Sequence, residues 1–152
     1  MKICLLLFAA LMLAACSPSA YRMHSTAVVT VAGAHAVTGA AVDAARDSAL
    51  DAVEAEHPET GEARTAALRA EAARWTPAGL ALDSIRSALG TWLSAVELAR
   101  AADDGGALLD ALLPLAARVL GLWDDLAALL QGLDVDAPRL PEAVRALVGG
   151  VL

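Results

Sequence analysis

Apolar and polar positions along this chain repeat with the period of an α-helix, and glycine and proline separate the helical stretches. The clearest pattern alternates steps of three and four residues through Leu82, Ile85, Leu89, Trp92, Val96 and Ala99. This spacing places these side chains on one helical face. Thr76 suits the N-cap and Pro77 the first turn, so we predict that this helix begins there.

A later helix, beginning near Ala107, carries two adjacent apolar seams. One contains Leu108, Leu112, Leu115, Val119, Leu122, Leu126 and Leu129, and the other Leu109, Leu113, Ala116, Leu120, Trp123, Ala127 and Leu130. A double seam predicts a broad apolar face, so we expect this helix to be the best buried. Pro114 lies inside it and is expected to bend it or mark a short break.

Three other helices are predicted around these two. One runs from about His24 to Glu56 and ends before Pro58, because the residue preceding a proline is pushed out of the α region. A short helix follows from about Glu62 to Arg74. After a turn over residues 132–138, Pro141 opens a brief last helix.

The first of these helices admits more than one interpretation. Ala32, Ala36, Ala40 and Ala44 recur every four residues and predict a smooth ridge that another helix can approach closely. Residues 23–42 carry no formal charge and have the length of a membrane span. Their threonines, glycines and His35 make that span the less favoured interpretation. The β-branched cluster at residues 28–31 also admits a short strand.

Composition favours helices throughout. Hydrophobic residues make up 58% of the chain but aromatic residues only 3%, and alanine and leucine, two strong helix formers, supply most of the apolar content. We therefore predict an all-α fold, a small antiparallel bundle of about four helices plus a short C-terminal helix.

The first 16 residues form a recognisable signal. Lys2 is followed by an uncharged run from Ile3 to Leu13, then by two alanines and Cys16. Eleven residues are too few to cross about 30 Å of hydrocarbon, which takes about 20, so we expect the segment to be removed. Leu13, Ala14, Ala15 and Cys16 resemble the lipobox of bacterial lipoproteins. The resemblance implies that the signal is cut before Cys16 and that this cysteine is acylated.

This resemblance organises the chain into three parts. Residues 1–15 are the expected lipoprotein signal peptide, residues 16–22 a short lipid-anchored tether, and residues 23–152 a single helical domain. The lipid on Cys16 would hold the protein to a membrane of the cell envelope. In enterobacterial lipoproteins a residue other than aspartate after the acylated cysteine goes with transport to the outer membrane, and Ser17 fits that pattern.

Charge and cysteine content exclude several functions. Removal of the signal takes away Lys2 and Cys4, which leaves ten arginines against 18 acidic residues, a net charge of −8, and acylation uses Cys16. Nucleic-acid binding by a basic surface is therefore not expected, nor is attachment to anionic lipid by charge. No thiol remains for catalysis or for a disulfide.

No residue cluster predicts catalysis or metal binding. His24 and His35 share a helical face but lie about 16 Å apart along its axis, too far for one metal ion, so we expect surface or interface histidines. Among the acidic pairs, Asp103–Asp104 is interpreted as a helix end and Asp134/Asp136 as a solvated turn, and the adjacent carboxylates of Asp124–Asp125 point about 100° apart on a helix and do not converge. The serines at 84, 87 and 94 lie on a predicted helix without a histidine nearby in the pattern. Trp92 and Trp123 are expected in the core.

The sequence thus favours a non-enzymatic helical interaction module, anchored by lipid and facing the periplasm, that meets an unidentified protein partner and uses no cofactor. Two alternatives stay open. One is a phage or prophage lipoprotein acting in lysis or exclusion. The other is a bundle that binds a hydrophobic ligand, which would require a cavity between the helices that carry tryptophan.

Overall fold

The computed structural model describes the backbone of residues 2–59, 61–102 and 105–149, and the side chains of residues 21–59, 61–102 and 111–148. Within this part, four helices include nearly every residue: α1 (Lys2–Glu56), α2 (Glu62–Ala101), α3 (Gly105–Gln131) and α4 (Glu142–Gly149). No strand occurs among the described residues. The fold is therefore all-α as predicted, and the alternative of a strand at residues 28–31 is wrong.

Helix α1 ends where the sequence predicts but begins earlier than expected. It stops at Glu56, and the backbone N–H of His57 still donates to the carbonyl of Val53 (3.0 Å) before Pro58 prevents another turn. At the other end the helix begins at Lys2, so the segment 16–22, expected as an extended tether, is helical. No glycine interrupts the chain before Gly33, and Pro18 lies inside the helix without ending it.

Helix α2 corrects the prediction of a break before Pro77. The two predicted helices are one, and the Thr76 hydroxyl donates to the carbonyl of Ala72 (3.3 Å), one turn back, instead of capping a new helix. The reason lies in the buried stripe, which continues through the proline without a change of phase. Its members are Trp75, Ala78, Leu82, Ile85, Leu89, Trp92 and Val96. Packing of residues on both sides of Pro77 holds the helix together against the local preference.

Helix α3 is also continuous with Pro114 inside it, so of the two expected outcomes, a bend or a short break, the break is absent. Its buried residues form one stripe that takes members from both predicted seams: Leu112, Ala116, Val119, Trp123, Leu126 and Leu130, with Leu120 beside them. Leu129, from the first predicted seam, is 40% exposed. The stripe therefore lies between the two predicted seams, and the outer members of each seam are less buried.

The end of α3 is closed by backbone hydrogen bonds. Val135 N–H donates to the carbonyl of Leu130 (3.0 Å) and Asp134 N–H to that of Gln131 (3.4 Å), the pair of bonds that defines a Schellman motif. Asp134 occupies the left-handed position with φ of 56°. The acidic residues Asp134 and Asp136 therefore lie in an exposed turn, as predicted.

The chain forms two compact units, and each of the three long helices contributes a segment to both. The first unit contains Met1–Val31, Ala88–Leu120 and Leu140–Leu152. Its buried residues come from α1 (His24, Ala27, Val28 and Val31), from α2 (Ala88, Leu89, Trp92 and Val96), from α3 (Leu112, Ala116, Val119 and Leu120) and from the C-terminal segment (Leu140 and Val144).

The second unit contains Ala32–Ser87 and Gly121–Arg139. Its buried residues are Thr38 and Val42 of α1, Trp75, Ala78, Leu82 and Ile85 of α2, and Trp123, Leu126 and Leu130 of α3. Helix α1 thus contributes fewer and smaller apolar side chains to this core than α2 or α3 does.

Candidate functional site

The expected lipidation site, Cys16, lies on α1, but its side chain is outside those that the structure describes. Asp103 and Asp104 also lie outside the described residues. Cleavage before Cys16 and its acylation therefore stay predictions. The side chains that are described begin at Tyr21, shortly after the predicted anchor.

His24 is buried in the first unit, contrary to the expectation of a surface or interface position. Only 3% of His24 and none of Trp92 is exposed, and the two rings meet edge to face with centroids 5.8 Å apart. The Trp92 indole N–H donates to Nδ1 of His24 (3.3 Å). An indole nitrogen only donates, so His24 is neutral with its proton on Nε2. Burial lowers the pKa of His24, which favours this neutral form.

His35 is half-buried in the second unit. Its Nε2 donates to the backbone carbonyl of Leu82 (2.9 Å). Thr38, fully buried on the same face, donates its hydroxyl to the carbonyl of Ala34 (2.8 Å). The buried face of α1 thus carries three polar side chains, each with a hydrogen-bond partner: His24, His35 and Thr38. The sequence already indicated that His24 and His35 share a face, but their in-phase spacing with Val28, Val31 and Val42 was the missed signal that this face is buried.

The tryptophans are packed in the cores. Trp92 and Trp123 are buried as predicted, and Trp75 is buried as well. The Trp75 indole N–H donates to the carboxylate of Glu71 (3.0 Å), and this bond, followed by the one from Arg74, holds the pKa of Glu71 below its usual range. These bonds give the indoles of Trp75 and Trp92 structural roles.

The structure brings no catalytic or metal-binding cluster together in the part that it describes. No group of three or more histidine, cysteine, aspartate or glutamate residues lies close enough there to hold a metal ion. Asp124 and Asp125 are both exposed, and the Ser84 hydroxyl donates to the carbonyl of Leu80 within its own helix (2.8 Å). The expectation of no catalysis and no metal stays a prediction.

A groove lies in the first unit between α1 and the C-terminal segment. Its volume is about 320 Å³, and its lining consists of Arg22, Met23, Thr26, Ala27 and Thr30 from α1 with Pro141, Ala143, Val144 and Leu147 from the C-terminal segment. No tryptophan belongs to this lining, so it is a different place from the cavity that the sequence required for ligand binding. The Thr30 hydroxyl donates to the carbonyl of Thr26 (2.8 Å). The lining is therefore mainly apolar, with Arg22 its one charged residue.

The alanine ridge of α1 faces solvent in the second unit. Ala32, Ala36, Ala40 and Ala44 are all exposed, and Val37 beside them is 65% exposed. We call these five residues the α1 small-residue face. No described helix of the protein covers this ridge, because the buried face of α1 is the one that carries Thr38 and Val42.

By length and composition alone, one described helical segment could cross a membrane. It is Tyr21–Glu56, 36 residues long, and only a third of its most apolar window is buried. A signal sequence or a core helix passes the same test, so this finding leaves the membrane-span alternative of residues 23–42 open.

No protein-family model matches the chain, and comparison with curated proteins and with solved structures finds no significant match.

Proposed function

We propose that this protein is a lipid-anchored lipoprotein of the bacterial envelope that acts without catalysis, as a helical module that binds a protein partner. The observation that carries the proposal is the α1 small-residue face, an exposed and uncharged helical surface. The lipobox ending at Cys16 supports the anchor, and Ser17 supports an outer-membrane position facing the periplasm.

Within this proposal the helices form an antiparallel bundle, and two contacts in the second unit support that arrangement. Arg64 of α2 forms an ion pair with Glu54 of α1 (2.8 Å), and His35 of α1 bonds to Leu82 of α2. From the first contact to the second, α1 goes back 19 residues while α2 advances 18. Partners that move in opposite directions along two helices are expected of an antiparallel pair.

The small-residue face suits a helical partner better than an irregular one. Alanine side chains let two helix backbones approach closely, and the four alanines recur at the spacing of one helical ridge. Val37 adds an apolar side chain that is largely exposed. From Ala32 to Ala40 this face lies within the charge-free residues 23–42, so a partner helix would not have to desolvate an ion there, and only its last member, Ala44, lies beside a charged residue.

Metabolic labelling tests the anchor. Cys16→Ser should abolish incorporation of a palmitate analogue and release the protein from membranes, because this thiol is the proposed acylation point. Cys4→Ser is the matched control and should label normally, since Cys4 lies in the segment that we expect to be removed. Labelling of the Cys16→Ser variant would refute the lipoprotein assignment.

Site-specific photocrosslinking in the native envelope tests the binding surface. A photoreactive residue at Val37 should give one defined protein adduct, and Ala36→Leu should remove it by forcing the partner away. Leu80 is a matched control position, since it is also apolar and is 63% exposed. The same adducts at both positions would contradict a specific surface. Adducts with phospholipid alone at Val37 would instead support a membrane span.

A further inference from the structure

The groove of the first unit combines apolar walls with one unpaired cation. We propose that it binds a single long-chain fatty acid, with the acyl chain between α1 and α4 and the carboxylate at Arg22. This proposal goes beyond the protein-binding function and does not depend on the α1 small-residue face or on acylation of Cys16.

The walls of the groove suit an acyl chain. Ala27 and Val144 are buried members of its lining, and Met23 and Leu147 supply flexible apolar side chains. The Thr30 hydroxyl is already bonded to the Thr26 carbonyl, so it does not require a polar ligand. A volume of about 320 Å³ lies at the small end of the range for small-molecule sites. It therefore suits one chain rather than the two or three of a membrane lipid.

The charge at the groove selects an acid. Arg22 is the one charged residue of the lining and has no ion pair or hydrogen bond with any described residue. The chain as a whole carries a net charge of −7. A guanidinium binds a carboxylate through two parallel hydrogen bonds. The acyl chains expected on Cys16 are linked as ester and amide and would bring no carboxylate. Charge complementarity thus favours a free fatty acid over the protein's own anchor.

Photoaffinity labelling of the full chain in native membranes tests the proposal. The probe is palmitate carrying a diazirine in its chain, and the labelled residues are mapped by mass spectrometry of peptides. We expect adducts on the peptides that contain Met23 and Leu147. Unlabelled palmitate should compete about tenfold better than its methyl ester, because the ester loses the charged hydrogen bond to Arg22. Shortening the competitor should weaken it by about fourfold per methylene.

Two pairs of variants separate the groove from general membrane labelling. Ala143→Phe should fill the groove and abolish the adducts, whereas Ala146→Phe, on α4 but outside the lining, should leave them unchanged. Arg22→Gln should keep labelling but remove the preference for acid over ester. Circular dichroism checks that each variant stays helical.

Three results would overturn the proposal. One is labelling that survives Ala143→Phe, or that spreads over the exposed faces of α1. The second is equal competition by acid and ester in the unaltered chain, which would show that Arg22 does not select the ligand. The third is labelling that rises in Cys16→Ser relative to the unaltered chain when both are compared in detergent, which would assign the groove to the protein's own lipid. None of these results would affect the Val37 adduct, so the two proposals fail separately.

Discussion

Leu129 and Leu130 are neighbours in sequence, and the structure gives them opposite environments. Leu130 has no exposed surface, whereas Leu129 is 40% exposed. The sequence pattern places them in two seams that are expected to be equally buried. Their substitution by alanine therefore tests which face of α3 is turned toward the core. Alanine and leucine both favour helix, so neither change should disturb the helix itself.

The expected loss at Leu130 follows from its complete burial. Leu130→Ala removes three carbon atoms, at about 0.8 kcal/mol each, and leaves a cavity whose walls relax only in part. The free energy of unfolding should fall by about 3 to 5 kcal/mol. Leu129→Ala leaves no enclosed cavity because solvent already reaches that side chain, which is 40% exposed, and we expect a loss of only about 1 to 1.5 kcal/mol.

Urea unfolding, followed by circular dichroism on a chain that begins at Ser19, measures both losses. The slope of the free energy of unfolding against urea concentration should be the same in each variant. Equal losses at the two positions would refute the single stripe and restore the two seams of the sequence pattern. A loss below about 1 kcal/mol at Leu130 would show that this face of α3 is not packed at all.

Three further predictions concern the remaining features. Burial keeps the pKa of His24 in the folded chain below its ordinary 6.5, so the unfolded chain binds more protons between the folded and the ordinary pKa. The free energy of unfolding should therefore stay constant above about pH 6.5 and fall as the pH drops below it. Urea unfolding at several pH values measures this dependence, which His24→Gln should remove. A slope that persists in His24→Gln would assign it to another group. Asp134→Gly should raise the melting temperature, because glycine adopts the left-handed conformation of this position without the cost of about 0.5 to 1 kcal/mol that aspartate incurs. Asp136→Gly is the control and should not raise it. Equal effects of the two substitutions would refute strain at Asp134. Ala36→Leu should change the free energy of unfolding by less than about 0.5 kcal/mol because its side chain faces solvent; a loss of 1 to 3 kcal/mol would mean that the ridge is packed inside the protein.

Local sequence signals determined the helical class and most helix ends. The end of α1 at Glu56, the start of α2 at Glu62 and the turn after α3 were all predicted, because proline, glycine and aspartate act on their own backbone within a few residues. The regular stripe from Leu82 to Val96 was equally clear, because its members alternate steps of three and four residues. Cys16 as a lipidation site depends on sequence alone.

Tertiary packing decided what local signals leave open. Pro77 suits a first turn or an interior position, and the burial of Trp75 and Ala78 on either side of it selects the interior. In α1 small and apolar residues surround the helix between 23 and 42, so the in-phase spacing of its buried valines with the two histidines is a weak sign of which side is covered. Trp92 and Leu82, distant in sequence, bond to the two histidines and turn that face inward, which leaves the alanine ridge in solvent. The groove at Arg22 likewise forms only because α4 packs beside α1. These two segments are more than 100 residues apart in sequence, so the local pattern of apolar residues does not predict their contact.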